Sequence, residues 1–254
     1  MQSSNQGTMR LINDNIQRLF ASCQKCKVCS LYILTVICSM FMLLSCSDKS
    51  KQEDSDFHSP RPLVSVFFIP CNGVTAKEVK AIANDFASHF ASKQGERYVV
   101  NILPSSVLAE ECLNDAKSRY RASKVIDYLN SLYLKDAIRK TDSIVGEESG
   151  SSSTYLIGVT NKDISTSIHN KPDYGILGLS YLNGTCSIIS TYRMKRKSDM
   201  WKLAAHEFCH GFFGCPHCKG DDPHCLMQDA KGGNPHFELK DSLCTVCGAI
   251  CVID

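Results

Sequence analysis

Residues 206 to 210, His-Glu-Phe-Cys-His, place two imidazoles four positions apart with a carboxylate beside the first. On a helix that spacing turns the second ring about 40° from the first and carries it about 6 Å along the axis. Both rings then leave one face at a reach suited to a single metal ion. A third imidazole, His217, follows Gly214, a residue that can turn the chain back. Three histidines and one open position form the ligand set of a catalytic zinc, and neutral imidazoles leave the ion its full charge to acidify water and polarise a carbonyl. Glu207 is placed to take the water's proton and pass it to a departing amine, so the chemistry implied is amide hydrolysis without a covalent intermediate. A closed, structural zinc is the competing reading, but such sites favour thiolates and have no use for a glutamate next to a ligand.

The thiols have a pattern of their own. Of 15 cysteines, Cys218, Cys225, Cys244 and Cys247 form two spaced pairs, the second a C-x-x-C. Four thiolates so arranged suit a closed tetrahedral zinc, and in an exported protein two disulfides are the rival reading. Cys71, Cys112, Cys186, Cys209, Cys215 and Cys251 read as buried small residues or disulfide halves. Outside the His206 to His217 cluster the histidines have no partner spacing, and His224, beside Cys225, is the only one of interest.

Elements that would position these groups are legible upstream. Leu63 to Ile69 (LVSVFFI) predicts a buried first strand. Thr75 and Glu78 make a capping box for a helix that carries Val79, Ile82, Ala83, Phe86 and Phe90 on one face and stops at Gly95. Tyr98 to Leu103 predicts a second strand, residues from about 106 to 139 a long helix, and 147 to 153 a loop. Tyr155 to Thr160, Tyr174 to Leu182 and Cys186 to Tyr192 predict three further strands. Ser198 is the expected N-cap of the helix running from Asp199 to about Phe213, which holds the histidine pair. There is no internal repeat.

The first quarter of the chain reads differently. Leu31 to Leu44 is 14 nearly uninterrupted apolar residues behind Arg10, Arg18, Lys25 and Lys27, too short to span a bilayer comfortably. It ends in Leu-Leu-Ser-Cys at Cys46, an order similar to the lipobox of bacterial lipoproteins, in which the cysteine is lipidated after cleavage. The basic leader is long, so a start at Met9 or an uncleaved anchor are the alternatives. Residues 47 to 62 are polar and charged and suit a tether. Domain organisation is therefore expected as 1 to 46 signal, 47 to 62 tether and 63 to 254 catalytic domain. Lysine and arginine total 28 against 26 acidic residues, a net charge of +2 that argues neither for a nucleic-acid surface nor for a polyacidic substrate, and no nucleic-acid partner is expected.

These residues resemble one family, the archaemetzincins, whose pattern joins H-E-x-x-H-x-x-G-x-x-H to an immediate Cys, then C-x-M and C-x-x-C. The matching positions are His206, Glu207, His210, Gly214, His217, Cys218, Cys225, Met227, Cys244 and Cys247. The resemblance extends through Tyr120-Arg121-Ala122 in the long helix and the stretch YLIGVTNKDI, covering about residues 62 to 250. It implies a catalytic zinc on the three histidines with Glu207 as base and acid, Met227 as a Met-turn beneath the metal, and a second, structural zinc on the four cysteines. It also implies that a strand such as Tyr174 to Leu182 pairs with an extended peptide substrate. This chain departs from the pattern twice. Six residues rather than five separate His210 from His217, and six rather than four separate Cys218 from Cys225. One extra residue rotates a helix exit by about 100°, so Gly214 must absorb it if His217 is to reach the ion, with Cys215 or a water as the replacement otherwise.

The expectation is thus an α/β (α+β) metzincin-like domain, a mixed twisted sheet with packed helices, an active-site helix and an irregular cysteine-rich C-terminal part. It is expected to act as a monomeric zinc metallopeptidase, with two zinc ions per chain and peptides or proteins as substrate, lipid-anchored in the cell envelope through Cys46. Three other classes stay open: a non-catalytic zinc-binding envelope lipoprotein, a thiol redox protein on Cys244 and Cys247, and an envelope protein that binds peptides without cutting them.

Overall fold

The computed structural model describes residues 63–94, 97–145, 152–168, 170–229 and 237–251. The expected signal, Cys46 and the polar tether lie outside them, as do His58, His169 and His236. Among the described residues no helix is long and apolar enough to cross a membrane.

In chain order the elements are β1 (Leu63–Cys71), α1 (Ala76–His89), β2 (Arg97–Ile102), β3 (Tyr120–Arg121), α2 (Ala122–Val145), β4 (Ser152–Thr160), β5 (Ile164–Ile168) and β6 (Lys171–Ile176). They continue with β7 (Gly178–Ser180), β8 (Cys186–Ser190), α3 (Met200–Phe213) and α4 (Thr245–Ile250). Five strands make one sheet in the order β2-β1-β4-β8-β7. The first four run parallel, and β7 closes the edge antiparallel to β8. A second sheet, β3-β5-β6, pairs β5 with β6 antiparallel.

β1 is buried along its whole length, as expected of a parallel strand covered on both faces. Its side chains alternate between two cores: Val64, Val66 and Phe68 meet α1 and α3 on one side, while Phe67, Ile69 and Cys71 meet α2 on the other. The Thr75 capping box forms as the sequence implies, with Glu78 N–H donating to Thr75 Oγ1 (3.2 Å) and Thr75 N–H to the Glu78 carboxylate (3.0 Å). α1 then buries Val79, Ile82, Ala83 and Phe86.

Several readings differ from expectation, among them the absence of β5 (Ile164–Ile168) from the predicted strands. The helix predicted over 106 to 139 begins only at Ala122 and runs to Val145; before it lie a 3-10 turn (Glu110–Cys112) and β3, so Tyr120 and Arg121 are strand rather than helix. The reason is Asn114, whose carboxamide oxygen accepts from the N–H groups of Ser118 (2.8 Å) and Arg119 (3.2 Å) and offers the backbone a loop in place of a helical turn. The strand predicted over 174 to 182 is two strands that switch sheets at Leu177, β6 pairing with β5 and β7 with β8. Ser198 is not the cap: α3 starts at Met200 behind a 3-10 turn (Lys197–Asp199), with no side-chain cap hydrogen bond.

α3 is buried from Met200 to Gly211. Phe208, fully buried, packs edge-on against Phe86 (5.6 Å between centroids) and Tyr155 (5.1 Å) and stacks on Phe212 (4.9 Å). This aromatic cluster fixes the helix against the sheet from the side opposite the histidines. Phe208→Ala is therefore expected to cost about 3–5 kcal/mol, read as a lowered midpoint in chemical denaturation.

Candidate metal centre and cleft

His206 and His210 sit one helical turn apart on α3, and both rings are buried. His206 Nδ1 lies 2.6 Å from the carbonyl oxygen of Leu226, and His210 Nδ1 lies 2.6 Å from that of Cys215. A carbonyl only accepts, so each Nδ1 must carry the proton and each Nε2 must present a lone pair. Those two Nε2 atoms lie 3.0 Å apart. Two bare acceptors at that distance repel unless a cation sits between them. Burial first, and then the neighbouring His210, holds the His206 pKa well below the ordinary histidine range, and burial lowers that of His210 to about 4. Both rings are therefore neutral at neutral pH, the form a metal needs.

His217 joins them. Its ring centroid is 4.7 Å from that of His210 and 5.3 Å from that of His206, and one nitrogen from each of the three rings falls within 4.8 Å of the others. The additional residue of the loop is taken up at the helix end. Gly214 adopts a left-handed conformation (φ 63°), and its N–H reaches back five residues to Cys209 O, a wider turn than the regular four-residue step. Cys215 N–H bonds the same oxygen at 3.0 Å. Cys215 turns its own side chain into the core and serves His210 through its carbonyl.

Glu207 is buried, and burial pushes its pKa up to about 8 against the opposing charge of Lys240. Met227 is fully buried in the turn that follows Cys225, where Gln228 N–H donates to Cys225 O (3.1 Å). The residue before it, Leu226, supplies the carbonyl that orients His206.

The four thiols Cys218, Cys225, Cys244 and Cys247 form a second cluster, all sulfurs within 4.8 Å of one another. Cys218 Sγ and Cys244 Sγ are 3.7 Å apart, far beyond a disulfide bond of about 2.05 Å and close to the edge of about 3.8 Å that a zinc–sulfur tetrahedron with bonds of about 2.3 Å requires. All described cysteines are free thiols. Cys244 N–H points at Cys225 Sγ (3.5 Å), and the backbone of Cys247 is the first reason that the Cys244 thiol falls to about 7. Both clusters fit a metal ion. Cys71, Cys112, Cys186, Cys209, Cys215 and Cys251 are buried outside these groups. His224 is exposed and faces Asp241 (3.4 Å), apart from either cluster.

A cleft of about 780 Å³ runs past the histidines, walled by β6 and β7 on one side and by Leu203 and Phe237 on the other. Three groups hold it in roles that the sequence did not reveal, although Asp163 lies in the stretch YLIGVTNKDI. Lys202, buried on α3, pairs with Asp199 (3.0 Å) and donates to the carbonyls of Phe237 (2.8 Å) and Glu238 (3.2 Å), fastening the C-terminal segment to the helix. Lys240, whose pKa burial lowers to about 8, donates to Gln228 O and lies 4.6 Å over the Phe237 ring. Asp163 accepts from Arg119 Nε (2.6 Å) and Arg193 Nε (2.7 Å), tying the β5–β6 wall down. A charged residue inside an apolar helix was the available sign for Lys202; the others are long-range pairings with no local pattern.

No family model matches the chain. A stretch of 109 residues is 30% identical to an archaemetzincin of Haloquadratum walsbyi (strain DSM 16790 / HBSQ001), covering 37% of this chain and 59% of that protein. The archaemetzincin of Archaeoglobus fulgidus, solved with malonate, superposes with a TM-score of 0.53 at 21% identity over 73% of this chain and 99% of its own. That of Methanopyrus kandleri gives 0.56 at 19% identity over 74% and 92%. A zinc-dependent peptidase of Methanocorpusculum labreanum gives 0.55 at 17% identity over 73% and 98%. The chain is similar to the archaemetzincins in sequence and in fold. The fold class expected from the sequence, including the cysteine-rich end, is the one observed.

The Asp163 node has a pH signature. Burial alone would raise its pKa, but the guanidinium groups of Arg193 and Arg119 hold it below the ordinary carboxylate value. A folded-state pKa below the unfolded one means that this stabilisation is full above about pH 4 and is lost as pH falls through the folded value. Asp163→Asn is expected to cost about 2 kcal/mol at pH 7 and to flatten the fall in melting temperature as the pH drops below about 4.

Proposed function

We propose that this protein is a zinc-dependent metallopeptidase, with His206, His210 and His217 as the ligands of a catalytic zinc, Glu207 as general base and acid, and Cys218, Cys225, Cys244 and Cys247 as the ligands of a structural zinc. The observation that carries the reading is the pair of Nε2 lone pairs aimed at each other 3.0 Å apart, each ring fixed by a backbone carbonyl. That arrangement is unfavourable without a cation, and a glutamate follows the first ring directly. The similarity to archaemetzincins supports the same reading.

When bound, zinc on these imidazoles supplies an electrophile that polarises a carbonyl and acidifies water. The protein does the rest. His206 and His210 keep the proton on Nδ1 through the bonds to Leu226 O and Cys215 O, which leaves each Nε2 lone pair free for the ion. Glu207 accepts the proton of the attacking water at a carboxylate oxygen and delivers it to the nitrogen of the departing amine. Lys240 favours the charged carboxylate against the pull of burial. Ile176, Leu177, Leu179, Leu203 and Phe237 line the cleft with apolar surface that suits substrate side chains, and the edge strand β7 offers main-chain groups to an extended peptide. Met227 serves as the Met-turn. Attachment to an envelope membrane through a lipid on Cys46 belongs to the same proposal and rests on the sequence pattern alone.

Metal analysis of the purified full chain together with a peptide-library digest tests this. About two zinc ions per chain are expected, one per cluster, with His206→Ala removing one and Cys244→Ser disturbing the other. Glu207→Gln is expected to keep its zinc and lose about 100-fold or more in cleavage rate. A single zinc that survives His206→Ala, or a Glu207→Gln variant as active as wild type, would overturn the proposal.

A further inference from the structure

The short edge strand β7 touches Glu207 more closely than any side chain would permit. A Cβ built at Gly178 would stand 2.6 Å from Glu207 Oε1, 2.8 Å from Cγ and 2.9 Å from Cδ, all inside the distance at which carbon atoms repel steeply. The backbone at 178 does not itself ask for glycine. Gly73 and Gly214 are the glycines with positive φ among the described residues, and Gly178 pairs with Ile189 in ordinary antiparallel register. What needs the missing side chain is the glutamate lying across it.

The strand has no freedom to draw away. Two residues on, Ser180 Oγ lies 2.7 Å from the Tyr155 hydroxyl, and that hydroxyl also reaches the carbonyl of Glu207 at 3.4 Å. The same residue is therefore gripped twice by β7, through its side chain at Gly178 and through its main chain by way of Ser180 and Tyr155. The backbone of Glu207 is fixed in the buried helix α3 while its carboxylate borders the cleft, so a side chain at 178 would drive the carboxylate out of its place beside β7.

We infer that Gly178 is a positioning residue for Glu207: its bare Cα is the surface that sets the carboxylate's place in the cleft. The catalytic part of this inference rests on the peptidase reading above, and the packing part does not. A methyl group at 178 must push the carboxylate aside, and a displacement of about 1 Å in a reacting group costs on the order of 100-fold in rate.

The test uses the full chain as wild type, Gly178→Ala, Glu207→Ala and the double variant. Gly178→Ala is expected to lower kcat by about 100-fold while KM stays within about twofold. Its melting temperature should fall in the wild-type background and stay unchanged in the Glu207→Ala background, where the three crowded atoms are gone. Should Gly178→Ala fail to fold, folding of the double variant reports the same coupling. Equal melting losses in the two backgrounds, or wild-type turnover by Gly178→Ala, would overturn the inference. If wild type cleaves no peptide, the peptidase reading fails, while the melting comparison still decides whether Gly178 and Glu207 share one space.

Discussion

Two imidazole lone pairs facing each other across 3.0 Å are the constraint around which this domain is built. Helical spacing brings the rings together, but it does not choose which nitrogen of each ring faces the other. That choice is made by two carbonyls, Leu226 O and Cys215 O, each receiving an Nδ1–H. Both come from outside α3, one from the turn that contains Met227 and one from the loop that leads to His217. The tautomer of the pair is thus a tertiary property, and the chain beyond the helix has to be folded back before the site has its polarity.

This places unusual demands on α3. A helix buried all round must find a partner for each of its polar groups. Lys202 turns to Asp199 and to two carbonyls of the C-terminal segment, while the histidines use the carbonyls just described. The aromatic side belongs to Phe208, Phe212 and Tyr155. Polar and aromatic sides together leave no solvent-exposed stripe, which explains why the helix lacks a capping side chain and still holds its place: packing rather than propensity fixes it.

Much of this was legible in the sequence, and the reasons differ by element. β1 and α1 read directly because a continuous apolar run and a capping box are local signals. H-E-x-x-H read directly because its chemistry is written in a four-residue spacing. The region before Ala122 did not, since Asn114 diverts the backbone by a side-chain hydrogen bond that periodicity does not register. Nor did the sheet switch at Leu177, because β6 and β7 form one apolar stretch and only their partners tell them apart. His217 was the open point in the ligand set, and the loop resolves the arithmetic through one wide turn at Gly214. Gly178, Tyr155 and Lys240 act over long sequence separations and left no local trace.

The two clusters are also linked through hydrogen-bonded backbone. Cys218 N–H donates to Met227 O at 2.8 Å, and Leu226 N–H donates to Ser242 O at 2.7 Å. Residues 218 to 227 are thereby closed into a loop whose ends are fastened by the same sulfurs that gather Cys244 and Cys247. Leu226 O, the acceptor for His206, sits inside that loop. Loosening the thiols would free this carbonyl to move, and a ring whose Nδ1 loses its acceptor can turn or change tautomer, taking its Nε2 out of line with His210. The thiol cluster, a few residues from the histidines, is thus joined to the orientation of an imidazole through a single carbonyl.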